Sequence, residues 1–515
     1  MSDLECREDK QKGPSTHNQA DSRFSGCFQV LETALMHDAL KDLLLGDMGA
    51  FSVRYWFINH YTNMLILKDL KNNIIPGTGK ISNNGFMHFA KSIFSRKHLE
   101  RTDILFVSRN RQVEIKTPSG TVIGDYMFHS VISELRTLRP QLKISSLLID
   151  DSYRKYEYAS QKDFIKEAFR AIKLYLRWRY SEKSLEKNSK KCVAIISLAQ
   201  SFFSLRILFR YGITGCSIRN YINRIKPEII IANDDCIYTK LINTADHKLV
   251  VVQSASMLES MEKCRALTFE DQRLLPEAFV VTGLEYEKIK RHYGVAKRVV
   301  VTGQPRYDIL ANINKIYSRT DFLKRFGIND MNRVLLWTTQ SHGLSNDENI
   351  NNLNTIFSAL KHIKQVSLII KQHPDENDFH TQMILDHIEK YNAEAILMAK
   401  NSDTYEQLCA CDILITRHST TAIEAIALNK PVIILNLSGQ PDPVDYVSCG
   451  VAAGVYEGDN LENVIKKLFQ DDSDLRKNRA EYVKQRLYMI DGQATRRVVD
   501  LITRMMNVES DEHDN

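Results

Sequence analysis

The chain has 515 residues, of which 43% are hydrophobic and 26% are charged, and its formal net charge is +6. This length fits two large domains with buried cores, and because no apolar run reaches 18 uncharged residues, the sequence argues against a transmembrane helix. The first residues also lack the regions of a secretory signal, and nine scattered cysteines without disulfide spacing exclude a disulfide scaffold. We therefore expect a cytoplasmic protein with reduced cysteines.

In the first half of the chain, predicted strands and helices alternate from about residue 102 onward. Residues 1–25 are polar and predict a disordered tail. Beyond them, short apolar runs typical of buried strands alternate with segments of helical composition. Strands are predicted at 103–108, 143–148, 227–235, 248–254, 278–283 and 298–303, and helices at 126–138 and 218–225. This alternation predicts a parallel sheet covered by helices.

The second half repeats this rhythm from residue 333. Strands are predicted at 333–340, 366–371, 395–398, 411–416 and 431–437, and helices at 321–326, 405–410 and 422–428. Two more helices are predicted between 474 and 506, with a break at Asp491-Gly492. We accordingly predict a first domain at 26–305, a second domain at 306–475, and C-terminal helices and tail at 476–515.

The strongest candidate for a ligand site is the stretch 417–426, which follows one predicted strand and opens a predicted helix. The hydroxyls of Ser419, Thr420 and Thr421 lie where free N–H groups and the positive end of the helix favour an anion. Glu424 falls one turn further in, within reach of a ligand held there. The alternative is that Ser419 and Thr420 only cap the helix, which is the commoner role of an isolated Ser-Thr-Thr.

A second polar loop, Lys371-Gln372-His373-Pro374, follows the predicted strand 366–371. In an open parallel sheet, ligands bind outside the carboxyl ends of the strands. His373 and Ser419 each come just after such an end, so we predict that they face one crevice. In the first half, Asp234 and Asp235 hold the equivalent position, where they either act on a ligand or cap the next helix.

Positive charge is concentrated between residues 152 and 226, which carry 17 Lys and Arg against 5 Asp and Glu. Aromatic residues interleave with these charges, as in Tyr175–Tyr180. Such a segment either contacts an anionic membrane or phosphates, or forms an ordinary solvated helical face. No nucleic-acid-binding motif accompanies it, so nucleic acid is not an expected partner.

Four stretches resemble the two-domain nucleotide-sugar transferases of the GT-B fold. The likeness is strongest to the group of CDP-glycerol glycerophosphotransferases, capsule-polysaccharide enzymes and polysialyltransferases. The stretches are Lys226–Ile231, Val301–Asp308, Lys371–Pro374 and His418–Thr421. Asp491-Gly492-Gln493-Ala494 also fits, so that the resemblance runs from about residue 225 to about residue 505. It implies an α/β protein of GT-B type, in which two Rossmann-like domains face a cleft.

The resemblance also implies roles for single residues. His373 would assist the departure of the leaving phosphate, Ser419 and Thr420 would bind the diphosphate, and Glu424 would accept hydrogen bonds from the nucleotide ribose. A departing nucleotide gathers negative charge, which imidazolium and hydroxyl groups stabilise. The remaining predicted donor-binding residues are Lys371, Arg417, His418 and Thr421. A surface carboxylate is an alternative partner for Lys371 and Arg417, and Asp234 or Asp235 is the predicted base for the acceptor hydroxyl.

One loop departs from the group, because Gln253-Ser254-Ala255 stands where Gln-His-Gly is usual. This departure indicates a divergent donor or acceptor.

These observations predict a transferase that moves a sugar or polyol-phosphate from a nucleotide-activated donor to a cell-surface glycan or lipid-linked acceptor. We expect no metal and no tightly bound cofactor, and a cytoplasmic location at the inner face of a membrane, contacted through residues 152–226. Two alternatives remain open: a UDP-N-acetylglucosamine 2-epimerase-like enzyme of the same architecture, and a GT-B-like binding protein that has lost catalysis.

Overall fold

The structure is a computed structural model that describes most of the chain beyond residue 100. The described residues are 47–48, 51–52, 57, 100–108, 112–117, 120–148, 158–182, 199–200, 202–234, 247–254, 275–341, 344–374 and 376–512. The predicted tail at 1–25 and the candidate base Asp235 lie outside them.

The first half is built on a six-stranded parallel sheet in the order β10-β9-β8-β7-β3-β6. Two short antiparallel pairs, β1 with β2 and β4 with β5, accompany it. The strands are β1 (Asp47–Met48), β2 (Phe51–Ser52), β3 (Ile104–Ser108), β4 (Gln112–Thr117), β5 (Gly120–Asp125), β6 (Ile144–Leu148), β7 (Ile229–Asn233), β8 (Lys248–Val252), β9 (Ala278–Val281) and β10 (Arg298–Val301). Every residue of β3 and β7 is buried, as expected for central parallel strands covered on both faces.

The second half is a separate six-stranded parallel sheet in the order β13-β12-β11-β14-β15-β16. Its strands are β11 (Arg333–Thr338), β12 (Val366–Lys371), β13 (Ala395–Met398), β14 (Ile413–Thr416), β15 (Val432–Asn436) and β16 (Ala453–Tyr456). Two apolar clusters fill its opposite faces: Leu336 and Leu414 belong to one, and Leu335 and Ile415 to the other. This alternation follows from the period of two along a strand.

Helices connect the strands and cover the sheets. In the first half they are α1 (His129–Leu138), α2 (Gln161–Ser181), α3 (Leu205–Ile225) and α4 (Leu284–His292). A 3₁₀ segment at Pro305–Asn312 leads to the second half, where the helices are α5 (Ile313–Ile316), α6 (Arg319–Arg325), α7 (Asn346–Leu360), α8 (Asp378–Tyr391), α9 (Thr404–Ala410), α10 (Thr421–Ala427), α11 (Leu461–Gln470), α12 (Ser473–Leu487) and α13 (Ala494–Glu512).

The last helix returns to the first half. Val498 and Ile502 of α13 pack in the same apolar cluster as Ile104 of β3 and Val250 of β8. Asp308 of the 3₁₀ segment accepts hydrogen bonds from the first N–H groups of this helix, at Ala494 (2.8 Å) and Thr495 (2.7 Å). The carboxylate satisfies donors that a helix start leaves unpaired, which fixes where α13 begins.

The predicted fold class is confirmed, since both halves are Rossmann-like α/β units. Several predicted element limits differ from the structure. The helix predicted from residue 126 begins at His129, because Asp125 accepts hydrogen bonds from the N–H groups of Met127 and Phe128 and ends the preceding turn. The helix predicted at 218–225 is the end of the 21-residue α3. The β4–β5 hairpin and strand β16 were not predicted. The numerical domain limits stay a prediction.

Candidate functional site

The order of strands in the second sheet marks a crevice between β11 and β14. From β11 the chain moves outward to β12 and β13, then reverses to β14 on the other side of β11. In open α/β sheets ligands bind at such a reversal, outside the carboxyl ends of the two strands. The loops at that place hold Gln340 after β11 and His418 after β14.

The loop after β11 joins the two motifs that the sequence singled out. The Thr339 hydroxyl accepts a hydrogen bond from the backbone N–H of His373 (3.4 Å). The neighbouring Gln340 side chain accepts one from the backbone N–H of His418 (2.7 Å). His373 and Ser419 therefore lie past the ends of strands on either side of β11, roughly 10 Å apart by strand spacing. The structure places both motifs at one edge of the sheet.

A buried carboxylate forms hydrogen bonds that join the loop carrying His373 and Pro374 to the loop after β11. Glu376 accepts hydrogen bonds from the Thr339 hydroxyl (2.8 Å), the Ser341 backbone N–H (2.7 Å) and the Gln372 side-chain amide (3.3 Å). Only 4% of Glu376 is exposed. Because three donors converge on this one side chain, the loop that carries His373 is fixed to the loop after β11.

The hydroxyl motif opens a helix of seven residues. The Ser419 hydroxyl accepts a hydrogen bond from the Thr421 backbone N–H (3.2 Å) and donates one to the Thr421 hydroxyl (3.0 Å). The Ser419 hydroxyl thus bonds to the first helical residue from the position before the N-cap residue, Thr420. Thr420 is exposed and makes no side-chain cap bond.

Glu424 lies one turn into α10, in a nearly closed cluster between the two halves. Its carboxylate oxygen is 3.7 Å from Nη2 of Arg306, and the two side chains are 6% and 8% exposed. Arg306 also donates to the hydroxyls of Tyr126, from the first half, and Tyr307. Its guanidinium stacks over both rings, at 4.9 and 4.6 Å from their centroids. The carboxyl edges of the two sheets therefore meet at this cluster.

Burial raises the pKa of Glu424 to about 7, while the Arg306 guanidinium and the Tyr405 hydroxyl oppose that rise. Desolvation disfavours the charged carboxylate, whereas a nearby cation favours it. Burial likewise raises the pKa of Tyr307 to about 12. Glu424 is thus a carboxylate whose charge depends on its cationic neighbour.

Lys371 and Arg417 point away from this cluster. The Lys371 ammonium donates to the backbone carbonyls of Gln372 (3.3 Å) and of Lys400, which follows β13 on the far side of β12 from β14. Burial lowers the pKa of Lys371. Arg417 donates to the Ser438 hydroxyl (3.1 Å) and lines a small pocket with Gln340 and Thr416 beside α7. Their predicted binding roles remain predictions.

The first sheet has its own reversal, between β3 and β7. Asp234 follows the carboxyl end of β7, as predicted. One of its carboxylate oxygens accepts hydrogen bonds from the Ser254 hydroxyl (2.5 Å) and the Ser254 backbone N–H (2.8 Å). The side-chain oxygen of Gln253 accepts a hydrogen bond from the N–H of Thr282, directly after β9 (3.1 Å). The residue that departs from the resembled group is thus the hydrogen-bond partner of the candidate base.

Sequence reasoning missed Arg306, Thr339, Gln340 and Glu376. Thr339 and Gln340 stand directly after a predicted strand, so the reasoning that selected His373 applies to them equally. Arg306 lies in the Gln304–Asp308 stretch that carried part of the resemblance. Nothing local in the sequence marks Glu376 as buried.

The described residues contain neither a metal-binding group nor a membrane-spanning helix. Within that part of the chain, no group of three or more His, Cys, Asp or Glu side chains is arranged to hold a metal ion. Nor does any helix there combine the length and the apolar character that crossing a membrane requires.

Two parallel Rossmann-like sheets whose carboxyl edges meet at a cleft define an enzyme architecture of GT-B type. Sequence comparison is more specific. A family model described as CDP-Glycerol:Poly(glycerophosphate) glycerophosphotransferase matches residues 231–504, more than half of the chain. The chain therefore belongs to this family, and the predicted transferase function with a nucleotide-activated donor is confirmed. No curated relative matches it.

Solved structures of similar shape come from two kinds of enzyme. A UDP-N-acetylglucosamine 2-epimerase has 16% identity and a TM-score of 0.48, covering 78% of this chain and 96% of its own. The Neisseria meningitidis epimerase bound to UDP-GlcNAc has 15% identity and a TM-score of 0.48, with coverages of 78% and 100%. The wall teichoic acid polymerase TagF, soaked with CDPG, has 13% identity and a TM-score of 0.46, with coverages of 89% and 100%.

Proposed function

We propose that the protein transfers glycerol phosphate, or a related polyol-phosphate or sugar, from a cytidine- or uridine-activated donor held by the second half. The observation that carries this proposal is the link from Thr339 and Gln340 to the His373 and His418 backbones at the strand reversal. The link supports a donor site at this edge, where His373 and the hydroxyls of Ser419, Thr420 and Thr421 follow the strands. Family membership supports the glycerophosphate class.

The proposed reaction is a displacement at phosphorus. An acceptor hydroxyl oxygen attacks the phosphorus that carries glycerol, and the bond from that phosphorus to the bridging oxygen breaks. The nucleoside monophosphate leaves with the electron pair. Asp234 takes the acceptor proton, and His373 together with the hydroxyl motif stabilises the charge on the leaving phosphate. Glu424 accepts hydrogen bonds from the ribose.

The acceptor is proposed to be a cell-surface glycan or lipid-linked primer that enters from the first half. Asp234 supports this, because it stands at the reversal of the first sheet, on the edge that faces the donor site. The epimerase alternative and the inactive binding protein lose support, because the matched family is one of transferases.

The test is release of CMP from CDP-glycerol in the presence of a lipid-linked glycerophosphate primer, with UDP-N-acetylglucosamine tested in parallel. We expect CMP release that depends on the primer and is lost in Asp234→Asn. Epimerisation of UDP-N-acetylglucosamine without transfer would favour the epimerase alternative. Nucleotide binding without turnover of any donor would favour the inactive binding protein.

We also propose that the protein works at the inner face of a membrane, which it contacts through α2. Five large hydrophobic side chains are exposed along this helix, between 46% and 81%: Ile165, Phe169, Ile172, Leu176 and Tyr180. Their spacing of three or four residues sets them on one face of the helix. Leu174 and Trp178 are buried on the face toward the domain.

The charges of α2 favour an anionic surface over other apolar partners. Its exposed charged residues are all basic: Lys162, Lys166, Lys173, Arg177 and Arg179. The acids are engaged within the protein, since Asp163 caps the helix, Glu167 is buried beside Arg170, and Glu182 pairs with Arg179. An apolar stripe flanked only by cations is typical of helices that lie in the headgroup region.

Vesicle sedimentation tests this contact. The wild type should bind vesicles of phosphatidylglycerol and phosphatidylcholine, and the double variant Phe169→Ser with Leu176→Ser should lose most binding, because each buried side chain contributes about 1.5–3 kcal/mol. Ile123→Ser is the control, since Ile123 is equally exposed (74%) but lies on the β4–β5 hairpin. Equal sedimentation of the wild type and the double variant would refute the contact.

A further inference from the structure

Arg306 is the one cation among the described residues that touches both halves next to Glu424. It belongs to the 3₁₀ segment that follows the first sheet. It contacts Tyr126 of the first half and Glu424 of the second. Although nearly buried, its Nε–H has no hydrogen-bond acceptor within the described part of the chain. A buried donor without a partner is costly, so this N–H calls for an acceptor that comes from outside the protein.

Among the described residues, three ionisable side chains face the Glu424 carboxylate. Arg306 and Tyr307 approach from the 3₁₀ segment, and Tyr405 approaches from α9. Arg306 is the only one of the three that carries charge near neutral pH. The positive charge of Arg306 therefore decides whether Glu424 is a carboxylate, which accepts hydrogen bonds, or a carboxylic acid, which is a poorer acceptor.

We propose that Arg306 is a positioning residue of the nucleotide site: it keeps Glu424 ionised for the ribose and offers its Nε–H to an oxygen of the bound nucleotide. This inference rests on the proposed function, because it takes Glu424 as the ribose contact. It adds a residue from the interdomain segment, so that binding in the second half involves the junction with the first.

The first test measures the affinity for CDP between pH 5.5 and 9.5. In the wild type, binding should weaken as Glu424 becomes protonated, with a midpoint near its pKa of about 7. Arg306→Met should raise this midpoint by about 1–3 pH units, because an adjacent cation lowers a carboxyl pKa by that amount. Arg306→Lys retains the charge but not the Nε geometry, so its midpoint should stay near wild type while its affinity falls several-fold. Glu424→Gln should bind weakly with no such midpoint.

Each of the two roles proposed for Arg306 has its own contradicting result. An Arg306→Met midpoint equal to the wild-type midpoint overturns the electrostatic role. An Arg306→Lys variant with wild-type affinity at pH 9 overturns the Nε contact. A merely structural role for Arg306 would lower affinity equally at every pH.

A ligand-free measurement separates this inference from the proposed function. The folded pKa of Glu424 lies above the ordinary value of 4.5, so its contribution to stability is present at low pH and is lost as pH rises toward about 7. In Arg306→Met this loss should extend to higher pH, and in Glu424→Gln it should vanish. Identical Tm profiles of all three proteins would refute the coupling. Failure of the wild type to bind CDP or UDP would instead refute the proposed function.

Discussion

In the proposed reaction, His373 and Asp234 are the two residues that act on the chemical step rather than on donor binding. His373 follows β12, and its backbone N–H donates a hydrogen bond to the Thr339 hydroxyl beside the crevice. His373→Ala should lower kcat by about 10²–10⁴, the usual range for acid–base groups, with CDP affinity changed only a few-fold. Steady-state kinetics and calorimetry check this split. His362→Ala, an exposed histidine beyond the end of α7, is the control. A pure loss of affinity would assign His373 to binding alone.

Asp234 is expected to act on the acceptor. Asp234→Asn keeps the size and the hydrogen-bonding oxygen but removes the basic carboxylate, so kcat should fall by about 10²–10⁴ while donor affinity is retained. Ser254→Ala leaves the carboxylate in place and should have a smaller effect. If Asp234→Asn turns over at the wild-type rate in the primer-dependent assay, another group is the base.

At the scale of elements, the loop between β12 and α8 depends on a single carboxylate. Glu376→Ala leaves the Thr339, Ser341 and Gln372 donors without their acceptor, and buried unsatisfied donors cost about 1–3 kcal/mol each. We expect a lower Tm together with lower activity, because the same loop carries His373. Glu389→Ala, an exposed glutamate of α8, should change neither. An unchanged Tm for Glu376→Ala would contradict this account of the loop.

Strands and helices were predictable from the sequence where apolar runs are long. The prediction failed where a side-chain contact sets the limit of an element. The fully buried strands β7 and β12 contain the apolar runs Ile229–Ala232 and Leu368–Ile370, and the sequence predicts them directly. The start of α1 depends on Asp125 bonding to two N–H groups, which hydrophobic periodicity does not reveal. The β4–β5 hairpin has mostly exposed residues and no apolar run, so the same pattern search passed over it.

At the scale of the whole molecule, the two halves pack so closely at Gly283 that no side chain fits there. A Cβ there would lie 2.2 Å from the backbone oxygen of Gln485 in α12, and the Thr282 hydroxyl donates to the Arg486 carbonyl (2.8 Å). Gly283→Ala should therefore destabilise the protein by about 1–3 kcal/mol, the usual cost of overpacking. Denaturant unfolding measures the change.

The control for Gly283→Ala is Gly327→Asn. Gly327 has a φ of +67°, which asparagine adopts more readily than other side chains, and its Cβ would meet open space, so a smaller loss of stability than at Gly283 is expected. A Gly283→Ala protein as stable as wild type would show that α12 does not pack tightly on the first half.

The site was only partly predictable from the sequence. Strand-end reasoning placed His373, Ser419 and Asp234 at the correct edges of the two sheets, because parallel strands bring their carboxyl ends together. It did not find the cluster of Arg306 and Glu424, because that contact joins residues 118 positions apart across the junction of the halves. Its assignment of Lys371 and Arg417 to the donor stays a prediction, and the structure adds their hydrogen bonds to the Lys400 carbonyl and the Ser438 hydroxyl.

The central claim is that a nucleotide binds at the start of α10 in the second half. Its most direct test is a thermal-shift comparison of UDP, CDP, CMP, GDP and ADP on the wild type, Glu424→Ala and His362→Ala. A nucleotide at 100 times its Kd should stabilise the wild type and His362→Ala by about 2.7 kcal/mol, and Glu424→Ala by clearly less. Equal stabilisation of all three proteins would place the nucleotide elsewhere, and no stabilisation by any nucleotide would contradict a nucleotide-dependent transferase.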